Sequence, residues 1–344
     1  MKKRLLLVLV VVLSLFVLAA CGGNNASNGN ANDGANDSNN GNNDATNNGG
    51  DSYVIGATQI VEHPSLDAAY EGFQKALEDA SLDVTYDYQN AQNDQNNVKT
   101  ISDNFVADDV DLIFANSTPS ALGALNATAD IPILFTSVTD AVDAGLVEAM
   151  DQPGDNITGV VDLHPDGIAE TVKFIDEYFE GAKVGLIYNA GEKNSVAQIE
   201  AVKEAGEGTS LSFAERTVAN SSEVQQAATT LAGDIDVFYI VTDNTVVSAL
   251  DAVVGVANEQ QIPLVVGEPD SLEKGGFVTF GIDYFTIGYR TGEMAVEILQ
   301  DGKTPAEIDV EYPPEIQLYI NKSAAESQGV EWNDDWDESA EIIE

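Results

Sequence analysis

The sequence predicts an α/β fold of two doubly wound parallel-sheet lobes joined by a hinge. Two observations lead to this prediction: short β-branched runs alternate with helical stretches from Ser52 onward, and this alternation occurs twice along the chain. Such alternation is typical of βαβ units around parallel sheets. About 290 residues follow Ser52, which is enough chain for two domains of ordinary size.

The first series begins with a strand and an amphipathic helix. We place the strand at residues 54–59 and the helix at residues 65–80, followed by strands at residues 84–88, 112–115 and 133–136 with helices between them. A second series starts after Gly159. Its strands are predicted at residues 184–188, 211–218, 237–241 and 264–267, and a helix follows each of them.

The two series share sequence features at matching positions. Asp111 begins an apolar strand that ends in polar residues opening a helix, and Asp236 begins a second segment of the same kind at the same spacing. An Ile-Pro pair introduces the next strand in both series, at residues 131–132 and 262–263. The halves therefore look like a duplicated domain. The alternative is that any two α/β segments have this degree of sequence similarity.

The N-terminal segment has the features of a secretory signal followed by a lipid-anchor site. Residues 1–20 carry a charged start, a short apolar run and small residues before Cys21, the only cysteine in the chain. This pattern resembles the bacterial lipoprotein box, whose cysteine is acylated after export; a signal removed without lipidation is the alternative. Residues 22–51 contain only Asn, Gly, Asp, Ser, Ala and Thr, so residues 21–51 are predicted to form a lipidated, disordered stalk.

The chain is strongly acidic, with a formal net charge of −44. Such a charge disfavours nucleic acid and anionic lipid surfaces as partners. It also causes self-repulsion that dissolved salt screens, which suggests a high-salt habitat. Residues 331–344 continue this composition, and we expect an acidic tail that is either solvated or folded as a last peripheral helix.

The positions of the strands predict where a ligand binds. In open α/β sheets, ligands bind outside the carboxyl ends of the strands, so two facing lobes would present both sets of ends to one cleft. The residues at these ends are mostly small hydroxyl and amide types, which bind a solute but do not supply hydrolytic or redox chemistry. The candidate ligand-binding residues are Gln59, Asn90, Ser117, Thr118, Thr136, Ser137, Asn189, Asp243, Asn244, Glu268 and Asp283, with Tyr188 and Tyr284 as possible aromatic walls.

The residues that enzymes and metalloproteins require are scarce. The chain has two histidines, and the segment around His63 fits a helix start better than a metal site with Glu62 and Asp67. No phosphate-binding Gly-rich motif occurs. Asp243 and Asp283 could be an acid–base pair, but aspartates at strand ends also cap helices and bind amines. We therefore expect no catalysis, no metal and no cofactor.

The charged residues also restrict the class of ligand. Arg216 and Arg290 are the only arginines outside the predicted signal, which disfavours an anionic solute because anions are usually held by arginine forks. A zwitterion fits better. Its carboxylate could bind hydroxyls and backbone N–H groups after residues 117–118 and 136–137, and its ammonium could bind Asp243 or Asp283.

Several ordered motifs resemble one known family. They are QIVEHPSLD at residues 59–67, STPS at 117–120, LFTSVTD at 134–140, TDNTVVSAL at 242–250 and GIDY at 281–284. These motifs resemble those of the ABC transporter substrate-binding lipoproteins associated with tryptophan and tyrosine uptake. The resemblance runs from about Tyr53 to Gly329. It implies a type I periplasmic-binding-protein fold that closes on an amino acid, often an aromatic one.

The resemblance also implies where the chain crosses between the lobes. The crossovers would fall near Gly159, near Gly281 and after Gln300, so one lobe comprises residues 52–160 plus 282–303 and the other residues 161–281 plus 304–330. The implied partners are an ABC permease and its ATPase, and the implied location is outside the cytoplasm, lipid-anchored to the cell membrane. The alternatives are a sensory or chemotactic ligand receptor and a sugar- or nucleoside-binding protein of the same fold.

Overall fold

The computed structural model of the protein describes residues 52–343. The predicted signal peptide, Cys21 and the predicted stalk therefore lie outside the described residues. Within the described part of the chain, no helix is both long and apolar enough to cross a membrane.

The first lobe is built on a five-stranded, fully parallel sheet with strand order β2-β1-β3-β4-β5. Buried side chains alternate between its two faces: Leu112 and Phe114 belong to one core, while Ile113 and Ala115 belong to the other. Its elements are β1 (Ser52–Gln59), α1 (Pro64–Asp79), β2 (Asp83–Asn90), α2 (Gln95–Ala107), β3 (Leu112–Asn116), α3 (Thr118–Ala127), β4 (Ile133–Val138) and β5 (Ile157–Val161).

The second lobe is built on a seven-stranded sheet with strand order β12-β11-β10-β9-β8-β6-β7. Only the pairing of β10 with β11 is antiparallel. Its elements are α4 (Gly167–Tyr178), β6 (Lys183–Tyr188), α5 (Lys193–Ala205), β7 (Ser212–Thr217), α6 (Val224–Leu231), β8 (Val237–Ile240), α7 (Asn244–Val247), α8 (Leu250–Gln260), β9 (Leu264–Val266), α9 (Asp270–Glu273), β10 (Val278–Gly281), β11 (Gln317–Asn321), α11 (Lys322–Ser327), α12 (Trp336–Ser339) and β12 (Glu341–Ile343).

The predicted fold class is confirmed, and the repeated sequence features make the same contacts in both lobes. The Asp111 carboxylate accepts a hydrogen bond from the N–H of Val54 at 2.7 Å, and the Asp236 carboxylate accepts one from the N–H of Lys183 at 2.8 Å. The prolines behave alike, because the carbonyls of Pro132 and Pro263 each accept a hydrogen bond from the neighbouring strand. Each aspartate therefore ties the start of its own strand to the first strand of its lobe.

One long helix returns to the first lobe after the chain has built most of the second. Helix α10 (Tyr284–Leu299) packs along α1, and its buried side chains join the core that contains Phe114. The two helices cross closely because Gly72 faces the Phe285 carbonyl and Gly288 faces the Ala69 carbonyl. The segment that follows α10 contains a short 3₁₀ turn at Pro305–Glu307.

The third crossover lies further along the chain than predicted. We expected the chain to leave the first lobe after Gln300, yet residues 304–311 pack on that lobe. The hydroxyl of Thr158 donates to the Ile308 carbonyl at 2.6 Å, and Val161 and Glu311 join β5 to this segment by backbone hydrogen bonds. The short segment therefore acts as an additional edge for the sheet. Its buried Ile308 and Val310 explain why it stays there.

The acidic C-terminal segment is also different from the predicted tail. It contains the one-turn helix α12 and the strand β12, which pairs in parallel with β11 at the sheet edge. Trp336 is only 2% exposed and packs against Phe174 and Phe277 in the core of the second lobe. Burial of this aromatic side chain holds the segment in place although its neighbours are acidic.

Candidate ligand-binding site

A narrow cleft lies between the two lobes at the carboxyl ends of their central strands. Its cavity volume is about 40 Å³. The lobes are therefore close together around it. The side chains that line the cleft are Val61, His63, Ser65, Leu66, Ser137, Thr139, Asp162, Asn194, Thr242, Asp243, Asn244, Val247, Glu268 and Tyr284.

The structure brings five of the predicted site residues into this lining. They come from both lobes and from the second crossover, and they are Ser137, Asp243, Asn244, Glu268 and Tyr284. Four other predicted residues lie buried at the rim of the first sheet without lining the cleft, and they are Gln59, Ser117, Thr118 and Thr136. The pairing register aligns Gln59 with Asn116 and Asn116 with Thr136. These polar residues therefore form one row behind the cleft.

Four predicted residues have other roles. Asn90 ends the edge strand β2, where its side chain accepts a hydrogen bond from the N–H of Gln92. The Tyr188 hydroxyl donates to Glu215, away from the cleft.

Asn189 and Asp283 support other parts of the structure. The N–H of Asn189 donates to the Asp243 carboxylate at 2.6 Å, so Asn189 positions a lining residue. Asp283 is exposed and caps helix α10 by accepting hydrogen bonds from the N–H and hydroxyl of Thr286. It does not line the cleft in which the other predicted residues meet.

A β-bulge places Ser137 in the cleft. The pairing of β4 with β5 shifts register between Phe135 and Val138, and Ser137 has a φ of 55°, in the left-handed region. Bulges of this kind redirect a side chain beside a functional site. The hydroxyl oxygen of Ser137 is buried and has no hydrogen-bond partner within residues 52–343.

Asp162 is the site residue that the sequence did not reveal. It directly follows β5 at the first crossover, and its Oδ2 accepts a hydrogen bond from the Tyr284 hydroxyl at 3.0 Å. Its Oδ1 is buried and has no partner in the described part of the chain. Burial raises the pKa of Asp162 to about 6, and the hydrogen bond from Tyr284 opposes that rise. Asp162 thus offers one free carboxylate oxygen to the cleft.

Asp243 is a second buried carboxylate in the lining, but both of its oxygens are occupied. Its Oδ1 accepts a hydrogen bond from the N–H of Val246 at the start of α7, and its Oδ2 accepts the one from Asn189. Burial, together with the nearby negative charge of Glu192, raises the pKa of Asp243 to about 7. These contacts identify Asp243 primarily as the residue that holds two loops of the second lobe together.

A second cavity adjoins the cleft beneath the hinge. It has a cavity volume of about 20 Å³ and shares Asp162 and Thr242 with the cleft. All three crossovers contribute to its wall, through Leu163, Ile282 and Ile316. The other walls are formed mainly by Ile168, Thr171, Gln198, Tyr239 and Phe280. We call this space the hinge cavity.

Direct hydrogen bonds join the two lobes across the cleft. The Asn93 amide donates to the Thr245 hydroxyl at 3.0 Å, and the Gln198 amide donates to the Thr139 hydroxyl at 3.2 Å. Ser65 of the first lobe contacts Glu268 of the second at 2.7 Å. The lobes are thus closed on one another.

The lining residues of the cleft include three carboxylates and no lysine or arginine. Across residues 52–343, no group of three or more His, Cys, Asp and Glu side chains is arranged to hold a metal ion. The arrangement can bind a positively charged group and hydrogen-bond a polar solute. For the carboxylate group of a ligand, it provides only neutral hydrogen-bond donors.

Comparison with known proteins agrees with this geometry. A family model described as ABC transporter substrate binding protein matches residues 54–342. The chain belongs to this family. It is 41% identical over 329 residues to a tyrosine-binding protein from Clostridioides difficile, covering 93% of this chain and 90% of that protein.

Two solved structures are similar to this ABC transporter substrate-binding protein. A domain from Streptococcus pneumoniae in complex with L-Trp is 30% identical, with a TM-score of 0.81, covering 85% of this chain and 100% of that chain. The ligand-free, open structure of a substrate-binding protein with adhesive properties from Clostridium difficile is 38% identical, with a TM-score of only 0.64, covering 85% and 99%. Of these two structures, the open one thus has the more similar sequence and the lower TM-score.

Membership of this family establishes the general role of the chain. ABC transporter substrate-binding proteins act outside the cytoplasm, where they bind small solutes and deliver them to a permease and its ATPase. The chain is accordingly a solute-binding protein and not an enzyme.

Proposed function

We propose that this protein captures a free aromatic amino acid, tyrosine or tryptophan, between its lobes for an ABC importer. The observation that carries the proposal is the free, buried Oδ1 of Asp162 in a cleft whose lining contains no lysine or arginine. The relatives named above support it, because one is a tyrosine-binding protein and another was solved with L-Trp.

The ammonium group of the amino acid binds Asp162. Of the three carboxylates in the lining, Asp243 is occupied by two backbone N–H groups, and Glu268 accepts hydrogen bonds from Ser65 and Ser271. Among the described residues, Asp162 accepts a hydrogen bond from Tyr284 alone, so one of its oxygens is available. A charge-assisted hydrogen bond to a buried carboxylate is about twice as strong as a neutral one.

The carboxylate of the amino acid binds neutral donors from the first lobe. The Ser137 hydroxyl lines the cleft, and the hydroxyls of Thr118 and Thr136 are buried just behind it without partners among the described residues. Thr118 begins helix α3, whose N-terminal end carries a partial positive charge. A dicarboxylate or phosphate would lack the arginine fork that such ligands usually need.

The aromatic side chain is buried beside Asp162. Leu66 and Val247 provide apolar surface in the cleft, and Leu163 and Phe280 provide it in the hinge cavity, which Asp162 joins to the cleft. Burial of an aromatic ring contributes most of its binding energy through the area removed from water, and ring contacts add roughly 0.5–1.5 kcal/mol. A small polar amino acid would leave this apolar surface uncovered.

A thermal-shift screen tests the proposed ligand. The described residues 52–343 belong to one compact unit, so the fragment 52–344 is the test protein. We expect L-tyrosine or L-tryptophan at a hundred times its dissociation constant to stabilise the fragment by about 2.7 kcal/mol. Sugars, nucleosides and L-glutamate serve as controls and should give no shift, and a shift with a sugar alone would refute the amino acid proposal.

The same screen, repeated without ligand in dilute buffer and in molar salt, tests the proposed high-salt habitat. Because salt screens the self-repulsion of this strongly acidic fragment, we expect the higher melting temperature in molar salt. Equal melting temperatures would contradict the proposed high-salt habitat. They would have no bearing on the proposed ligand.

We also propose that Cys21 anchors the protein to the outer face of the cell membrane. Its position after a signal-like segment supports this proposal. Two or more acyl chains give stable anchoring, whereas one is marginal. Cells expressing Cys21→Ser should release the protein into the medium, while the wild type stays with the membrane fraction; equal partition of the two would contradict lipidation at this residue.

A further inference from the structure

One serine hydroxyl joins two carboxyl groups across the closed cleft. Ser65 belongs to helix α1 of the first lobe, and its Oγ lies 2.7 Å from Glu268 Oε2 and 2.5 Å from Asp270 Oδ2, both in the second lobe. Ser65 and Glu268 are fully buried, and Asp270 is half-buried. These contacts exist only when the two lobes meet.

Counting hydrogen atoms shows that this contact needs an extra proton. Two oxygen atoms at 2.5–2.7 Å are held by a hydrogen between them. The Ser65 hydroxyl has one hydrogen, and an ionised carboxylate has none to donate. One of the two carboxyl groups must therefore be protonated and donate to Ser65, while the hydroxyl of Ser65 donates to the other.

Burial raises the pKa of both carboxyl groups, and the hydrogen-bond partners favour Asp270 as the one that carries the proton. Glu268 also accepts hydrogen bonds from the N–H and the hydroxyl of Ser271, and such donors stabilise its ionised form. The Asp270 side chain makes no hydrogen bond to any described residue except Ser65. The order of donation is thus from the Asp270 carboxylic acid to Ser65, and from Ser65 to the Glu268 carboxylate.

We propose that closing the lobes takes up one proton at a site formed by Asp270, Ser65 and Glu268, so that solute binding is coupled to proton binding. The inference rests on the proposed function in one respect: the amino acid is the solute that drives closure. It assigns a proton-binding site to the contact between the lobes, in the wall of the cleft and distinct from the ammonium site at Asp162.

The surrounding charged groups are consistent with this assignment. Burial raises the pKa of Glu268 and of Asp270. Burial also lowers the pKa of His63 to about 4, so this histidine is neutral; its Nδ1 accepts from the N–H of Ser65, and its Nε2 lies 3.8 Å from Glu268. The other titratable groups that face the site are Asp67, Asp162, Lys274 and Tyr284.

The sign of the pH dependence follows from proton uptake. Opening the lobes would remove the burial that raises the pKa of Asp270, so we expect a lower pKa in the open form. In the closed form the pKa of Asp270 is higher. Proton uptake therefore favours closure fully at a pH below the pKa of the open form, and this contribution is lost as the pH rises through the pKa of the closed form. Between the two values, the affinity for the amino acid should fall tenfold for each pH unit.

Titration calorimetry with the amino acid that binds tests the proposal. The number of protons taken up is measured between about pH 5 and about pH 8 in pairs of buffers with different ionisation enthalpies. We expect the wild type to take up close to one proton more than Asp270→Asn at the pH where its affinity changes most. The asparagine amide donates to Ser65 as the carboxylic acid does, so Asp270→Asn should bind without this pH dependence. Asp162 titrates in both proteins and cancels in the difference.

Two further variants separate the proton site from its neighbours. Ser65→Ala removes the bridge, so the extra proton uptake should disappear and the affinity should fall at low pH. His63→Gln should keep the uptake. Equal uptake in the wild type and Asp270→Asn would overturn the proposal, and so would a loss of uptake in His63→Gln alone, because the histidine would then be the group that titrates.

The proposed proton site can be tested even if the proposed amino acid does not bind. If no amino acid binds at any pH, the proposed function is wrong, and the distance between the lobes is then measured by energy transfer between two attached dyes without solute. The wild type should close progressively as the pH falls, whereas Asp270→Asn should not respond. A wild-type distance that is independent of pH would overturn the proton site.

Discussion

Replacing Asp162 by asparagine is expected to weaken binding of the amino acid roughly a hundredfold. The substitution keeps the shape of the side chain and an oxygen for the Tyr284 hydroxyl, but it removes the charge that pairs with the ammonium group. Loss of one partner from a buried charge pair costs about 2–5 kcal/mol, and about 1.4 kcal/mol corresponds to a factor of ten. Titration calorimetry at neutral pH measures the change.

Asp283→Asn is the matched control. The sequence suggested Asp283 as a possible ammonium partner, but the structure places it at the exposed start of α10, where it caps the helix. We expect unchanged affinity and a loss of stability of about 1 kcal/mol or less, because asparagine is also a good cap. A strong loss of binding in Asp283→Asn, with little change in Asp162→Asn, would reverse the assignment of the ammonium site.

The sequence could predict the strands because their burial pattern is local. Apolar runs beginning at Asp111 and Asp236 mark strands β3 and β8, and both aspartates make the same contact with a neighbouring strand. The elements that were missed depend on distant partners. The C-terminal strand β12 forms because Trp336 finds an aromatic core contributed by α4 and by the chain before β10. Nothing in the residues around Trp336 specifies that core.

The same distinction between local sequence patterns and distant partners explains which residues of the cleft the sequence could predict. Strand ends could be located, so a cleft could be predicted at the carboxyl edge of both sheets. Which side chain turns into the cleft depends on features that periodicity does not show: a bulge directs Ser137 inward, and Asn90 ends an edge strand. Asp162 was missed because it stands on a crossover, where the pattern of alternation stops.

Aspartates at strand ends show a further limit of sequence reasoning. Asp162, Asp243 and Asp283 all follow strands and precede helical or turn segments, so their sequence contexts are alike. Hydrogen-bond accounting distinguishes them: Asp283 caps a helix, Asp243 satisfies two backbone donors, and Asp162 retains a free oxygen. Only the positions of the donors decide which of these carboxylates can bind a ligand.

Replacing Gly288 by alanine is expected to destabilise the protein by about 3 kcal/mol or more. A Cβ atom at this position would lie 1.9 Å from the carbonyl oxygen of Ala69, and backbone atoms of α1 cannot move away as a flexible side chain could. Overpacking typically costs about 1–3 kcal/mol, and this contact is closer than any real Cβ contact. The free energy of unfolding from urea denaturation measures the loss.

Gly255→Ala isolates this effect from the intrinsic preference of alanine for helices. Gly255 lies in helix α8, and a Cβ atom there would meet nothing within 4 Å. Alanine should therefore stabilise the protein by roughly 0.8–1 kcal/mol, the difference in helix propensity between the two residues. The same gain is available at Gly288, so the clash must exceed it for the protein to lose stability. If both variants were stabilised alike, α10 would not cross α1 at the close distance that returns it to the first lobe.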